Sequence, residues 1–158
     1  MSSAADFNRH LTSVDNDLDW LNKFIIFNST NTHKIYHMKN IKDLTKFGSD
    51  KKWGFALVDH KLGEKRYRNI IDLAHKATIV AAHDAEVIHD HGYGYVRNKA
   101  LDHYKYICKM SMWHTGNHKD LYTSTLIMSN FIDITFLEDV FKRIKYKWEV
   151  VACEYKNM

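Results

Sequence analysis

Proline is absent from this sequence and glycine occurs only six times, so the residues that break helices and strands are scarce. No Pro-rich or Gly-rich linker, internal repeat or low-complexity tract divides the chain. Apolar residues make up 45% of its 158 positions, which excludes an intrinsically disordered composition. We therefore expect a single domain, residues 1–158, with a hydrophobic core of its own.

Cysteine and long apolar runs are also scarce. Cys108 and Cys153 are the only cysteines, which excludes a disulfide-rich scaffold and a four-cysteine zinc site, although the two could pair. No apolar run approaches the roughly 18 residues that span a bilayer, and the first residues lack the basic and apolar segments of a signal peptide. These absences predict a cytoplasmic protein in a reducing environment, without membrane contact.

The residues that are abundant instead are lysine, asparagine, isoleucine, tyrosine and histidine. This bias is typical of AT-rich coding, which is common in phages, viruses and some bacteria. The bias indicates the kind of organism that encodes the protein and carries no information about its mechanism. A viral source would place the protein in the cytoplasm of a host cell.

The net charge of +4 is unevenly distributed along the chain. Between Lys34 and Arg68, basic residues outnumber acidic ones, and aromatic residues are interspersed among them. Such a surface could bind a nucleic acid or an acidic protein surface, whereas the alternative is a solvated lysine face with the aromatic rings turned inward. The residues of this predicted basic face are Lys39, Lys42, Lys51, Lys52, Trp53, Arg66 and Arg68.

The periodicity of apolar residues predicts an α+β fold, with several helices packed on a small sheet of about three strands. Residues 121–132 fit either a helix or a strand. The expected strands are 32–40, 51–59 and 148–155, and the expected shorter helices are 16–28, about 40–48 and 135–146.

A long helix is expected in the stretch between Gly63 and Gly92, which contains no breaker and has apolar residues at helical spacing. Gly92 and Gly94 would end it, and residues 96–113 predict a second helix. The two would form an αα-hairpin over about 64–113.

The stretch HDAEVIHDHGYGY would form the end of that long helix. His83, Glu86 and Asp90 follow the spacing i, i+3 and i+7, so they would share one helical face, with His103 approaching from the second helix. Histidine and carboxylate ligands suit zinc or manganese, which activates water for the cleavage of phosphoesters. The same stretch also has a simpler interpretation, because histidines near a helix C-terminus are stabilised by the terminal carbonyl groups.

One short motif resembles a known family. His83 and Asp84 resemble the His-Asp doublet of HD-type phosphohydrolases, and the resemblance implies a further histidine upstream and an aspartate downstream. His60 and Asp133 are the residues in those positions, but that family is all-helical and His60 lies at the end of a predicted strand. We therefore assign the chain to no family.

Two functions follow from these patterns. The first is a small soluble binding or inhibitory protein that uses the basic face and needs no cofactor. The alternative is a phosphohydrolase or nuclease that depends on a divalent metal, with His83, Glu86 and Asp90 as ligands and His103 as a further catalytic residue. No complete catalytic constellation stands out, so the sequence favours the first and leaves enzymatic activity open.

Overall fold

A computed structural model describes residues 10–23, 32–40, 43, 47, 50–60, 62–86, 93–113, 122–143 and 148–155 of the chain. The backbone groups into two compact units, residues 1–47 and residues 48–158.

The amino-terminal unit contains a two-stranded parallel sheet of β1 (Leu11–Asp15) and β2 (His33–His37). A short helix, α1 (Leu18–Asn22), follows β1. Its N-cap is Asp17, whose side chain accepts a hydrogen bond from the backbone N–H of Trp20 at 3.1 Å. The helix expected over 16–28 and the strand expected over 32–40 are thus present as α1 and β2, although residues 24–31 lie outside the described part of the chain.

The carboxy-terminal unit is built on a five-stranded mixed sheet with the strand order β3-β4-β6-β5-β7. The β3–β4 pair is parallel, and the other neighbours are antiparallel. The strands are β3 (Trp53–Val58), β4 (Ala77–His83), β5 (Tyr106–Trp113), β6 (Tyr122–Ser129) and β7 (Trp148–Tyr155).

The parallel strands β3 and β4 are joined through a 3-10 helix (Gly63–Lys65) and the helix α2 (Arg66–Leu73). Ile70 of α2 is fully buried and belongs to the same apolar cluster as Val80 of β4 and Met128 of β6. Tyr104 is also fully buried and donates its hydroxyl to the carbonyl oxygen of Ile70 at 2.6 Å. The described residues of the unit also include a second 3-10 helix (Ala100–His103) and the helix α3 (Leu137–Arg143).

The predicted αα-hairpin over about 64–113 is wrong. Residues 77–83 and 106–113, which it assigned to two helices, are the strands β4 and β5. Both strands lie inside the sheet, and β4 has buried residues on both faces (Val80 and Ala81, for example). A strand covered on both sides lacks the apolar–polar alternation of a surface strand, so its pattern cannot be distinguished from that of a buried helix.

The sheet is also larger than the expected three strands, because β4 and β5 belong to it and because residues 122–129, which fitted either a helix or a strand, form β6. The strand expected at 32–40 is β2, which lies in the separate two-stranded sheet. The expected strand at 148–155 is present as β7, at the edge of the sheet. The helix expected over 135–146 is present as α3.

Cys108 lies in β5 and is completely buried. It takes part in a disulfide, and the β5–β7 register places Cys153, the only other cysteine, directly opposite it. Disulfides persist mainly in oxidising compartments, so the cysteines do not support the reducing environment that the composition suggested.

Among the described residues, no helix is both long and apolar enough to cross a membrane.

Candidate metal site

A cluster of polar side chains lies where β3 and β4 end. Asp59 follows β3 directly, His83 is the last residue of β4, and Asp84 comes next. Because the two strands are parallel neighbours, their carboxyl ends meet at the same edge of the sheet. This edge is where open α/β sheets bind ligands. We refer to the three residues as the Asp59–His83–Asp84 cluster.

Each of the three residues offers one potential metal-ligating atom, and these atoms all lie within 4.8 Å of one another. His83 Nδ1 is 2.9 Å from Asp84 Oδ1 and 3.7 Å from Asp59 Oδ1. The side chains of Asp59 and His83 are 45% and 40% exposed, and that of Asp84 is 24% exposed. The cluster is thus accessible to a solute.

Arg66 connects the two carboxylates from the buried side. Its side chain is only 6% exposed, and its guanidinium lies 3.0 Å from Asp59 Oδ1 and 2.9 Å from Asp84 Oδ2. Its Nε also donates to the carbonyl oxygen of His60 at 2.9 Å. Burial acts to lower the pKa of Arg66, but the hydrogen bond to Asp84 and neighbouring groups raise that pKa above its ordinary value. Arg66 therefore stays charged and orients both carboxylates.

Asp84 has a left-handed backbone conformation, with φ of 55°. In a regular strand, consecutive side chains point to opposite faces, so His83 and Asp84 would not meet. The left-handed residue turns the chain at the end of β4, and the two neighbouring side chains come within hydrogen-bonding distance. Such a conformation is uncommon outside glycine and costs of order 1–2 kcal/mol, although aspartate tolerates it better than most residues.

Two tyrosines lie beside the cluster. Tyr95 donates its hydroxyl to the carbonyl oxygen of His83 at 2.9 Å, and the Tyr93 ring centroid lies 4.7 Å from the guanidinium carbon of Arg66. Burial raises the pKa of Tyr95 to about 12, and burial together with the charge of Asp84 raises the pKa of Tyr93. Both phenols are therefore neutral at physiological pH and can donate hydrogen bonds.

The Tyr93 ring also packs closely against Gly63. A Cβ atom on Gly63 would overlap that ring, with Cε1 as the nearest atom. Only glycine allows this approach between the 3-10 helix and the ring that covers Arg66.

The sequence grouped His83 with Glu86, Asp90 and His103, and the structure places these residues differently. Residues 77–83 are a strand, so the helical face that would bring them together does not exist. Glu86 is buried, and its Oε1 accepts a hydrogen bond from the backbone N–H of Ser124. His103 is exposed at the end of its 3-10 helix, and Asp90 lies outside the described residues.

Sequence reasoning missed Asp59 as a partner of His83, and it paired Asp84 with His83 only through the resemblance to HD-type phosphohydrolases. A signal for Asp59 was available, because it directly follows a strand that the sequence predicted. Recognition of residues 77–83 as a parallel partner strand would have placed Asp84 at the same edge. The error in one element therefore concealed the cluster.

The predicted basic face is only partly exposed. Arg66 is buried in the ion pairs described above, Trp53 is half-buried, and Lys42 lies outside the described residues. Lys52 is exposed and donates to the carbonyl oxygen of His75 at 2.7 Å. The other exposed members are Lys39 in the amino-terminal unit, and Lys51 and Arg68 in the carboxy-terminal unit.

No known family model and no curated protein matches this chain. Its function is therefore argued from the chemistry of its residues alone. Two carboxylates and one imidazole form a ligand set that suits Zn²⁺, Mn²⁺ or Fe²⁺.

Proposed function

We propose that this protein is a metal-dependent hydrolase whose divalent cation binds Asp59, His83 and Asp84. One observation carries the proposal: the three ligand atoms converge within 4.8 Å at the carboxyl ends of two parallel strands. The proposal replaces the ligand set that the sequence suggested and keeps His83 from it.

The charge of the cluster supports a cation. Two aspartates face a single arginine, so one negative charge remains uncompensated by these three side chains. Asp84 divides its two oxygens, with Oδ2 toward Arg66 and Oδ1 toward His83. Oδ1 can therefore turn to a metal while Arg66 continues to hold Oδ2, as groups around metal centres commonly hold the ligands.

Three protein ligands leave coordination positions for water and substrate, which is the arrangement of catalytic rather than structural metal sites. A bound divalent metal lowers the pKa of its water to about 7 and so supplies hydroxide near neutral pH. Phosphoesters are the proposed substrates.

The test is cation binding followed by hydrolysis. Protein that has been stripped with a chelator is titrated with Mn²⁺ and with Zn²⁺ by calorimetry, and bis(p-nitrophenyl) phosphate hydrolysis is then measured. We expect one site in the wild type and its loss in His83→Ala and Asp59→Asn, with unchanged binding in the control His75→Ala, which removes an exposed histidine outside the cluster. A wild type that binds neither cation, or a His83→Ala variant that binds as tightly as the wild type, would overturn the proposal.

A second candidate is the binding or inhibitory function at the basic face, supported by the exposure of Lys51, Lys52 and Arg68. The partner would be a nucleic acid or an acidic protein surface, in the cytoplasm of the cell or of a viral host. Binding to a duplex oligonucleotide should weaken with salt, and Lys51→Ala should reduce the log–log slope by about one unit. A complex that is insensitive to salt would remove nucleic acid as the partner.

A further inference from the structure

We infer that Glu86 is a positioning residue, which holds Asp84 in the conformation that the cluster needs. This inference rests on the proposed metal site and deepens it. It assigns to Glu86 a role other than the metal ligand that the sequence suggested.

Ser124 of β6 is hydrogen-bonded to the chain directly after Asp84. Its carbonyl oxygen accepts a hydrogen bond from the backbone N–H of Ala85 at 2.9 Å. Its own N–H donates to Oε1 of Glu86. Both backbone groups of Ser124 are therefore bound to the two residues that follow Asp84.

The register of the sheet shows what these contacts replace. The β4–β6 ladder ends with the pair His83–Thr125, and an uninterrupted continuation would place Asp84 opposite Ser124. Asp84 instead adopts its left-handed conformation and leaves the ladder. The Glu86 carboxylate takes the place of a strand carbonyl as the acceptor for Ser124, so the chain stays attached to β6 immediately after the turn.

Ser124 is itself held firmly. Its hydroxyl lies 2.7 Å from the hydroxyl of Ser111, its partner in the register of β5 and β6. Both serines are 3% exposed, and Glu86 is 7% exposed. The path from the sheet interior to Asp84 therefore runs through buried, hydrogen-bonded groups, which is the kind of support that keeps a strained residue in place.

Burial of a carboxylate costs free energy unless the carboxylate is hydrogen-bonded. An apolar side chain would therefore fill the position of Glu86 more favourably if packing were the only role of this residue. Loss of its acceptor would leave the hydrogen bond from Ala85 N–H to the Ser124 carbonyl oxygen, weaken the attachment of residues 84–86 to β6 and allow Asp84 to relax toward an ordinary conformation. The hydrogen bond between His83 Nδ1 and Asp84 Oδ1 would then be lost. Groups that support ligands in this way typically change metal affinity by about 10–100-fold when removed.

The experiment compares the wild type with Glu86→Ala, Glu86→Asp and Glu86→Gln in two measurements. The first is metal-free: long-range ¹H–¹⁵N spectra, recorded where imidazoles are neutral, report which ring nitrogen of His83 carries the proton. The second is Co²⁺ titration, followed through the absorption bands of the bound ion. Circular dichroism and thermal unfolding establish that each variant is folded.

We expect the wild type and Glu86→Gln, which keeps the acceptor oxygen, to hold the proton on His83 Nδ1. Glu86→Ala and the shorter Glu86→Asp should shift it toward Nε2, and they should weaken Co²⁺ binding by about 10-fold or more because the Asp84 carboxylate is displaced. Co²⁺ binds Nδ1 only after this proton has moved to Nε2 or to solvent, so the tautomer reports the position of Asp84 and does not itself cause the weaker binding. Folded Glu86→Ala and Glu86→Asp variants with the wild-type tautomer would overturn the inference. Because the tautomer is read without metal, this measurement stays decisive for Glu86 even if the wild type binds no divalent cation and the proposed function is refuted.

Discussion

His83 and Asp84 are neighbours in the sequence, and their side chains meet at 2.9 Å although a strand would point them to opposite faces. The positive φ of Asp84 makes this contact possible. Arg66 and Tyr95 bind the same turn through Asp84 Oδ2 and the His83 carbonyl oxygen. The candidate metal site is therefore a property of one backbone turn and of the groups that hold it.

The first prediction concerns Arg66. Arg66→Met should lower the free energy of unfolding by about 2 kcal/mol, measured by urea denaturation. Removal of one partner from a fully buried ion pair costs roughly 3–5 kcal/mol, and the partial exposure of Asp59 and Asp84 reduces that figure here. Arg68→Met, at an exposed position of the same helix, is the control and should change stability by no more than about 0.5 kcal/mol. Equal losses in the two variants would contradict the structural role of Arg66.

The second prediction concerns the contact between Gly63 and Tyr93. Gly63→Ala should reduce the free energy of unfolding by about 1–3 kcal/mol, because the new methyl group would overlap the Tyr93 ring. Gly54→Ala is the matched control, since a Cβ atom at Gly54 would have nothing within 4 Å. The double variant Gly63→Ala, Tyr93→Ala should remove the overlap. The close packing would be refuted if Gly63→Ala were as stable as Gly54→Ala.

The third prediction is a dependence on alkaline pH. Burial raises the pKa of Tyr95 to about 12, against about 10 for an exposed tyrosine. The folded protein thus holds this proton more tightly, so the contribution to stability is complete below about pH 10 and is lost as the pH rises through about 12. Across that interval the wild type should lose more unfolding free energy than Tyr95→Phe, which cannot ionise at this position. Parallel pH profiles for the two proteins would show that Tyr95 titrates normally.

The fourth prediction concerns the disulfide at Cys108. Reduction with dithiothreitol should lower the free energy of unfolding by about 2–4 kcal/mol, because the covalent constraint on the unfolded chain is lost. The double variant Cys108→Ser, Cys153→Ser should have the lower stability with or without reductant. Mass spectrometry of the purified protein under non-reducing conditions provides the direct check, and two free thiols there would contradict the pairing.

The sequence by itself determined the elements whose pattern depends only on local exposure. The half-exposed strand β2 alternates in exposure over most of its length, and Asp17 marks the start of α1 with a side chain that caps it. These signals arise from neighbours a few residues apart, so no knowledge of the fold was needed to interpret them.

Only the tertiary structure determined that β4 and β5 are strands and that Asp59, His83 and Asp84 form a cluster. Both strands are covered on two sides, and a residue buried on every side carries no periodic signal of its secondary structure. The cluster depends in addition on the parallel pairing of β3 with β4, which brings Asp59 to residues more than twenty positions later in the chain. That pairing accompanies the burial of Ile70 and Val80 in one apolar cluster, which no local pattern records.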